Sequence, residues 1–177
     1  TADVAAVMRL CAREQIPVLP RGGGTSLAGQ STNEAVVLDF TRYMGAILDV
    51  DPEEATARAE VGCTLGELNR RLSPHGLKFA PDPSTGDQSA LGGAIGNNTT
   101  GAHSLIYGKT DAYVESVTAV LADGSIVEFG EVSLETLREE ADADAATPEP
   151  RIYAEVLRII DEEAEEIRAQ YPTLKRN

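Results

Sequence analysis

Three consecutive glycines follow directly on an apolar run in "IPVLPRGGGTSLAGQS", residues 16–31. Triple glycine exposes main-chain N–H groups and permits positive φ, so the chain there is free to curl around an anion. Thr25 and Ser26 add hydroxyl donors to the same bend. Glycine-rich surface turns are common, but strand-like runs on both sides, "IPVLP" and "AVVLDF", fix the ends of this one. The stretch therefore predicts a held cradle rather than a loose turn.

Two familiar phosphate motifs come close and fail. Gly24-x-x-x-x-Gly29-Gln30-Ser31 is one residue from a triphosphate loop. That loop needs a lysine ammonium where Gln30 stands, and a helix where "STNEAVVLDF" reads as strand. The dinucleotide fingerprint Gly-x-Gly-x-x-Gly fails because Leu27 occupies the place of its third glycine. A degenerate nucleotidase stays open as a reading at this point.

Charge narrows the partners. With 29 acidic and 15 basic residues the formal net charge is -14, which argues against nucleic acid or an anionic membrane as the partner. A phosphate bound here is held by local dipoles, not by the overall field. Hydrophobic residues at 42% and charged residues at 25% match a globular core. A length of 177 residues suits one domain or a piece of a larger one. The lack of an initiator Met and the stop at "PTLKRN" read as the cut ends of a larger protein. No apolar run approaches the ~20 residues of a membrane span, and no signal-peptide pattern opens the chain. Cys11 and Cys63 lack CxxC or Cys/His companions and read as packed thiols in a reducing compartment, with no metal site.

Periodicity places the elements. Thr1 reads as the cap of a helix striped by Val4, Val7, Met8 and Cys11. "AILDV" and "EATARAEV" are strands, the second with one wet face. Thr64 and Glu67 form a capping box for a helix carrying Leu65, Leu68 and Leu72, which ends near His75-Gly76. Asp123-Gly124 between two apolar runs is a hairpin signal. Residues 131–149 are acidic and predict a short helix and an exposed linker. A final helix follows, its packed stripe predicted as Ile152, Val156, Ile159, Ile160, Ile167 and Tyr171, ended by Pro172.

A second glycine-rich segment, "APDPSTGDQSALGGAIGNNTTGAHSLIYGKTDAYV", residues 80–114, is too polar for ordinary core and too long for an idle loop. "ALGGAIGNN" predicts a short helix whose backbone approaches a ligand closely. Asn97, Asn98, Thr99, Thr100 and Ser104 offer uncharged donors and acceptors, which suits a large flat ligand edged with heteroatoms.

Taken together, "PVLPRGGGTSLAGQ", "PDPSTGDQSALGGAIGNNTTGAHSLIYGKT" and "VTAVLADGSIVEFG" resemble the FAD-binding domain of the p-cresol methylhydroxylase / vanillyl-alcohol oxidase superfamily, over residues 1–130. Within it the chain is similar to bacterial dehydrogenases of the D-lactate, glycolate and 2-hydroxyglutarate group. "GNNTTGAHSLIYGKT" resembles the large members fused to an iron–sulfur region. The resemblance implies an α+β fold, with a small strand–helix unit packed on a mixed or antiparallel sheet flanked by helices. It also implies three segments: a cofactor domain at 1–130, a short helix and linker at 131–149, and a helix at 150–177 leading to a substrate domain outside the chain.

The same resemblance assigns roles. Gly22, Gly23, Gly24, Thr25, Ser26 and Leu27 would wrap the FAD pyrophosphate. Pro81, Ser84, Gly92 and Gly93 would line its second side, and Asn98, Gly101, Ser104 and Gly108 would sit nearer the flavin and ribityl chain. Val127 would offer backbone contacts to the adenine. Ala90 departs from the threonine often found before the glycine pair, which puts one hydrogen bond in doubt. Residues 21–31 contain no histidine, the residue some relatives use for covalent attachment, so the FAD is expected to be non-covalent. His75, His103, Tyr107 and Lys109 read first as ordinary structural or loop residues. The implied activity is oxidation of a small 2-hydroxy acid, with the catalytic groups outside this chain. A non-catalytic flavin or nucleotide module docking a partner is the alternative. The expected setting is the cytoplasm, or the surface of the inner membrane.

Overall fold

The computed structural model describes residues 1–141 and 147–172. These form two compact units, one of residues 15–114 and the other of residues 1–14 with the described residues from 115 onward. Helices and small strand pairs alternate in an α+β arrangement, with one parallel and two antiparallel two-stranded ladders.

In the 15–114 unit, β1 (Val18–Arg21) pairs in parallel with β2 (Val36–Asp39), Val18 opposite Val36 and Arg21 opposite Asp39. Parallel neighbours need a long crossover, usually a helix. Here the crossover is the glycine bend itself. The antiparallel pair β3 (Ile47–Asp51) and β4 (Thr56–Ala59) follows, with an irregularity between Ile47 and Asp49. Helix α2 (Leu65–Leu72) starts where Thr64 Oγ1 accepts the Glu67 N–H at 3.1 Å, the capping predicted from the sequence. It ends through a 3₁₀ turn, Ser73–His75, closed by Gly76.

Leu65, Leu68 and Leu72 point from α2 into a core with Cys63, Phe79 and Ala94, against which Ile47, Val50 and Ala59 pack. Each fully buried leucine of this kind contributes roughly 1.5–3 kcal/mol. Burial also pushes the Cys63 thiol pKa up, so it behaves as a core apolar group. Asn69 fastens the outgoing chain, donating to the Phe79 carbonyl at 3.2 Å and accepting its N–H at 2.7 Å. Two short helices, α3 (Leu91–Gly96) and α4 (Ser104–Tyr107), lie in the second glycine-rich segment.

In the other unit, α1 (Ala2–Glu14) packs on the hairpin of β5 (Ser116–Val120) and β6 (Ile126–Gly130). Ala5 and Cys11 are its buried positions. Arg9 Nη1 donates to the Gly124 carbonyl at 2.9 Å, tying the helix to the predicted hairpin turn. Helices α5 (Leu134–Ala141) and α6 (Glu149–Gln170) pack on each other. The predicted stripe of α6 needs correcting. Leu157 is its buried residue, while Val156, Ile159, Ile160, Ile167 and Tyr171 are exposed. Tyr153 packs edge-on against Phe129 of β6, and that turns the Tyr153 and Leu157 side inward. Part of the linker expected within 131–149, residues 142–146, and the end, 173–177, fall outside the described residues. Among the described residues no helix is long and apolar enough to cross a membrane.

Candidate functional site

The two glycine-rich segments meet. A cleft of about 240 Å³ in the 15–114 unit is lined on one side by Gly22, Gly23, Gly24, Thr25 and Ser26 and on the other by Thr85, Ser89, Ala90, Gly93 and Asn97. The first wall is anchored by the parallel ladder, whose last bond runs from Phe40 N to the Arg21 carbonyl at 3.0 Å. The second wall is stitched alongside the start of α2. Leu65 N donates to the Ser89 carbonyl at 3.0 Å, Gly66 N to Gly86 at 2.9 Å and Leu91 N to Cys63 at 2.8 Å.

Close approach of the walls requires glycine. A Cβ on Gly23 would fall 1.8 Å from the Gln88 carbonyl oxygen, inside any allowed contact. Gly24 has φ +67, the left-handed region that favours glycine. Hydroxyls bridge the gap: Thr25 Oγ1 lies 3.2 Å from Ser89 Oγ, which lies 2.7 Å from Thr85 Oγ1. Ser26 donates to the Gln30 side-chain oxygen. Among the described residues, no acceptor within the protein meets the main-chain N–H groups of residues 23–27. Residues 23–26 border the cleft, so their donors are open to a ligand there. Arg21 is the one charged side chain among the described residues lining it. Among the described residues no group of three or more His, Cys, Asp or Glu side chains is placed to hold a metal ion.

The expected site residues distribute unevenly. Gly22, Gly23, Gly24, Thr25, Ser26 and Gly93 border the cleft, whereas Leu27 is fully exposed beyond it. Pro81 is buried and Ser84 exposed, and their neighbours Pro83 and Thr85 line the cleft. Gly92 lies against Val61, leaving Gly93 open with nothing within 4 Å of a Cβ there. Asn98 exchanges bonds with Asp111, donating through Nδ2 at 2.9 Å and accepting the Asp111 N–H at 3.0 Å. Its neighbour Asn97 borders the cleft.

Gly101 lies against Asp82, Ser104 opens α4 and Gly108 closes it. Asp82 takes the His103 N–H at 3.1 Å and bonds the His103 ring, and these bonds hold its carboxyl below the usual range. Val127 is buried on β6 in the other unit, opposite Ala119. Sequence reasoning missed Arg21, Thr85 and Ser89 on the cleft. The spacing of the last two, four residues apart in a turn-rich stretch, was the available signal.

A glycine-walled slot with open N–H groups, uncharged hydroxyls and amides fits a pyrophosphate-linked dinucleotide such as FAD. Among the described residues no lysine lines it, where a loop that cleaves a terminal phosphate needs one. The 240 Å³ cleft takes part of such a ligand, not its whole length.

Comparison with known proteins agrees. Residues 1–130 match the family described as FAD binding domain. The D-2-hydroxyglutarate dehydrogenases of Pantoea ananatis and Escherichia coli are 40% and 38% identical over 99% of this chain. The chain spans only 17% of the length of each. A D-lactate dehydrogenase of Archaeoglobus fulgidus is 38% identical over 72% of the chain and 29% of its own length. Among solved structures, an alkyldihydroxyacetonephosphate synthase superposes with a TM-score of 0.63 at 28% identity, covering 72% of this chain and 25% of that one. The chain belongs to the FAD binding domain family, and its cofactor is FAD.

Proposed function

We propose that this chain is the cofactor portion of an FAD-dependent dehydrogenase that oxidises a 2-hydroxy acid such as D-lactate, glycolate or 2-hydroxyglutarate. The observation that carries the reading is 38–40% identity to two D-2-hydroxyglutarate dehydrogenases across nearly the whole chain. Bound FAD would supply two-electron oxidation of the substrate carbinol. The chain's own residues bind and orient. Residues 22–27 take the pyrophosphate through main-chain N–H groups, Thr25 held by Ser89 adds a hydroxyl, and Gly93 leaves room on the opposite wall.

Asn98 offers the cofactor its main-chain carbonyl, since its side chain is engaged with Asp111 and its N–H with the Ile95 carbonyl. Pro81, Ser84, Gly92, Gly101, Ser104 and Gly108 shape the flavin side. Attachment is non-covalent, since residues 21–31 hold no histidine. Residues 1–130 form the cofactor domain, 131–149 the short helix and linker, and 150–177 the lead toward a substrate domain. That domain supplies the groups that grip the substrate carboxylate and take its hydroxyl proton. An iron–sulfur region accepts the electrons, a reading supported by the "GNNTTGAHSLIYGKT" segment. The setting is cytoplasmic or at the inner-membrane surface.

The test is flavin absorbance of the full-length protein, followed by acid precipitation and assay with each hydroxy acid and an artificial electron acceptor. Yellow colour released to the supernatant, and reduction by at least one acid, are expected. Flavin retained in the pellet overturns the non-covalent assignment. A flavin that none of the acids reduces overturns the substrate class.

A further inference from the structure

Arg21 stands at the end of β1, where the chain enters the bend. Its Nη1 donates to the Ser31 carbonyl at 3.0 Å, closing the loop across ten residues. Its planar head also lies against Gly24: a Cβ built there would fall 2.5 Å from Nη2, 3.1 Å from Cζ and 3.3 Å from Nε. One side chain therefore grips the far end of the bend and fills the space beside its left-handed residue. Its charge is partly answered, because Asp39 sits opposite in the ladder. A lysine is a point charge on a flexible stem and reproduces neither the fork nor the flat contact.

We propose that Arg21 is a positioning residue for the cofactor. It braces the crossover so that the N–H groups of residues 23–27 stay aimed at a pyrophosphate, and shape, more than charge, is what it supplies. This rests on the FAD reading and deepens it.

The experiment uses the full-length protein, freed of flavin and titrated with FAD. Arg21→Lys is expected to weaken FAD binding about ten-fold or more despite the kept charge, with the apo-protein Tm close to that of the parent. Gly24→Ala is expected to weaken binding too. In an Arg21→Ala background that second loss shrinks by about three-fold or more, because the colliding guanidinium is gone. The phosphorus resonances of bound FAD shift in Arg21→Lys, whereas the flavin absorbance band does not.

Binding by Arg21→Lys within about two-fold of the parent would overturn the proposal, as would losses at 21 and 24 that simply add. Failure of the parent protein itself to bind FAD would remove both this proposal and the cofactor reading. Normal binding by the parent and by Arg21→Lys would remove this proposal alone.

Discussion

The bend at 22–31 and the segment at 96–114 look alike in sequence, both dense in glycine and in serine, threonine and side-chain amides. They use those residues in opposite ways. The bend leaves its N–H groups open along residues 23–27. The later segment engages several of its polar groups with protein partners: Asn98 with Asp111, Thr110 with the Thr99 carbonyl at 2.8 Å, and His103 with Asp82 from earlier in the chain. Polar composition marks where a backbone is irregular. Whether it binds depends on which donors are left without a partner.

Four substitutions probe that contrast, in decreasing order of effect. Gly23→Ala drives a Cβ into the Gln88 carbonyl, so we expect about 3 kcal/mol of lost stability together with loss of FAD binding. Thermal melts with and without FAD read both. Asn98→Ala removes a reciprocal pair from a residue at φ +45, which asparagine tolerates better than alanine. About 2 kcal/mol of stability should go, with little change in FAD affinity, as denaturant and flavin titrations would show. A large affinity loss with unchanged stability would erase the distinction between the segments.

Gly93→Ala should do the reverse. Nothing lies within 4 Å of the new Cβ, so stability holds or rises by roughly 0.5–1 kcal/mol from helix propensity. The methyl enters the cleft, and FAD affinity falls about ten-fold by fluorescence titration. The smallest effect concerns acid. The Asp82 pKa is lowered chiefly by its hydrogen bond to the His103 side chain. Its contribution is therefore in place above the ordinary aspartate value of about 3.9 and is lost as pH falls through the depressed folded value. Asp82→Asn should flatten the pH dependence of the melting temperature below about pH 4 and leave it unchanged near neutrality.

Local chemistry made much of this legible. The Thr64 cap, the turn at Asp123-Gly124 and the strand before Gly22 each follow from residues within a few positions, and the structure has all three. Orientation was harder to read. Whether Ser84 or Thr85, Gly92 or Gly93, faces the cleft depends on how residues 85–92 zip to 61–66, a pairing that no local pattern announces. The same holds for α6, where Tyr153 meeting Phe129 decides which apolar side turns inward. Sequence showed that polar groups gather near residue 100. Tertiary pairing decides that Asn98 answers Asp111.

A strap joins the two parallel strands where a helix would ordinarily run. A helix brings its own ladder and keeps its form when nothing is bound. A strap has no such internal scaffold, so its contour depends on what it encircles and on how firmly its two feet are planted. Filling the cleft should therefore be felt in the strands themselves: amides at 36–39 should exchange more slowly with solvent when FAD is present, although none of them borders the cleft.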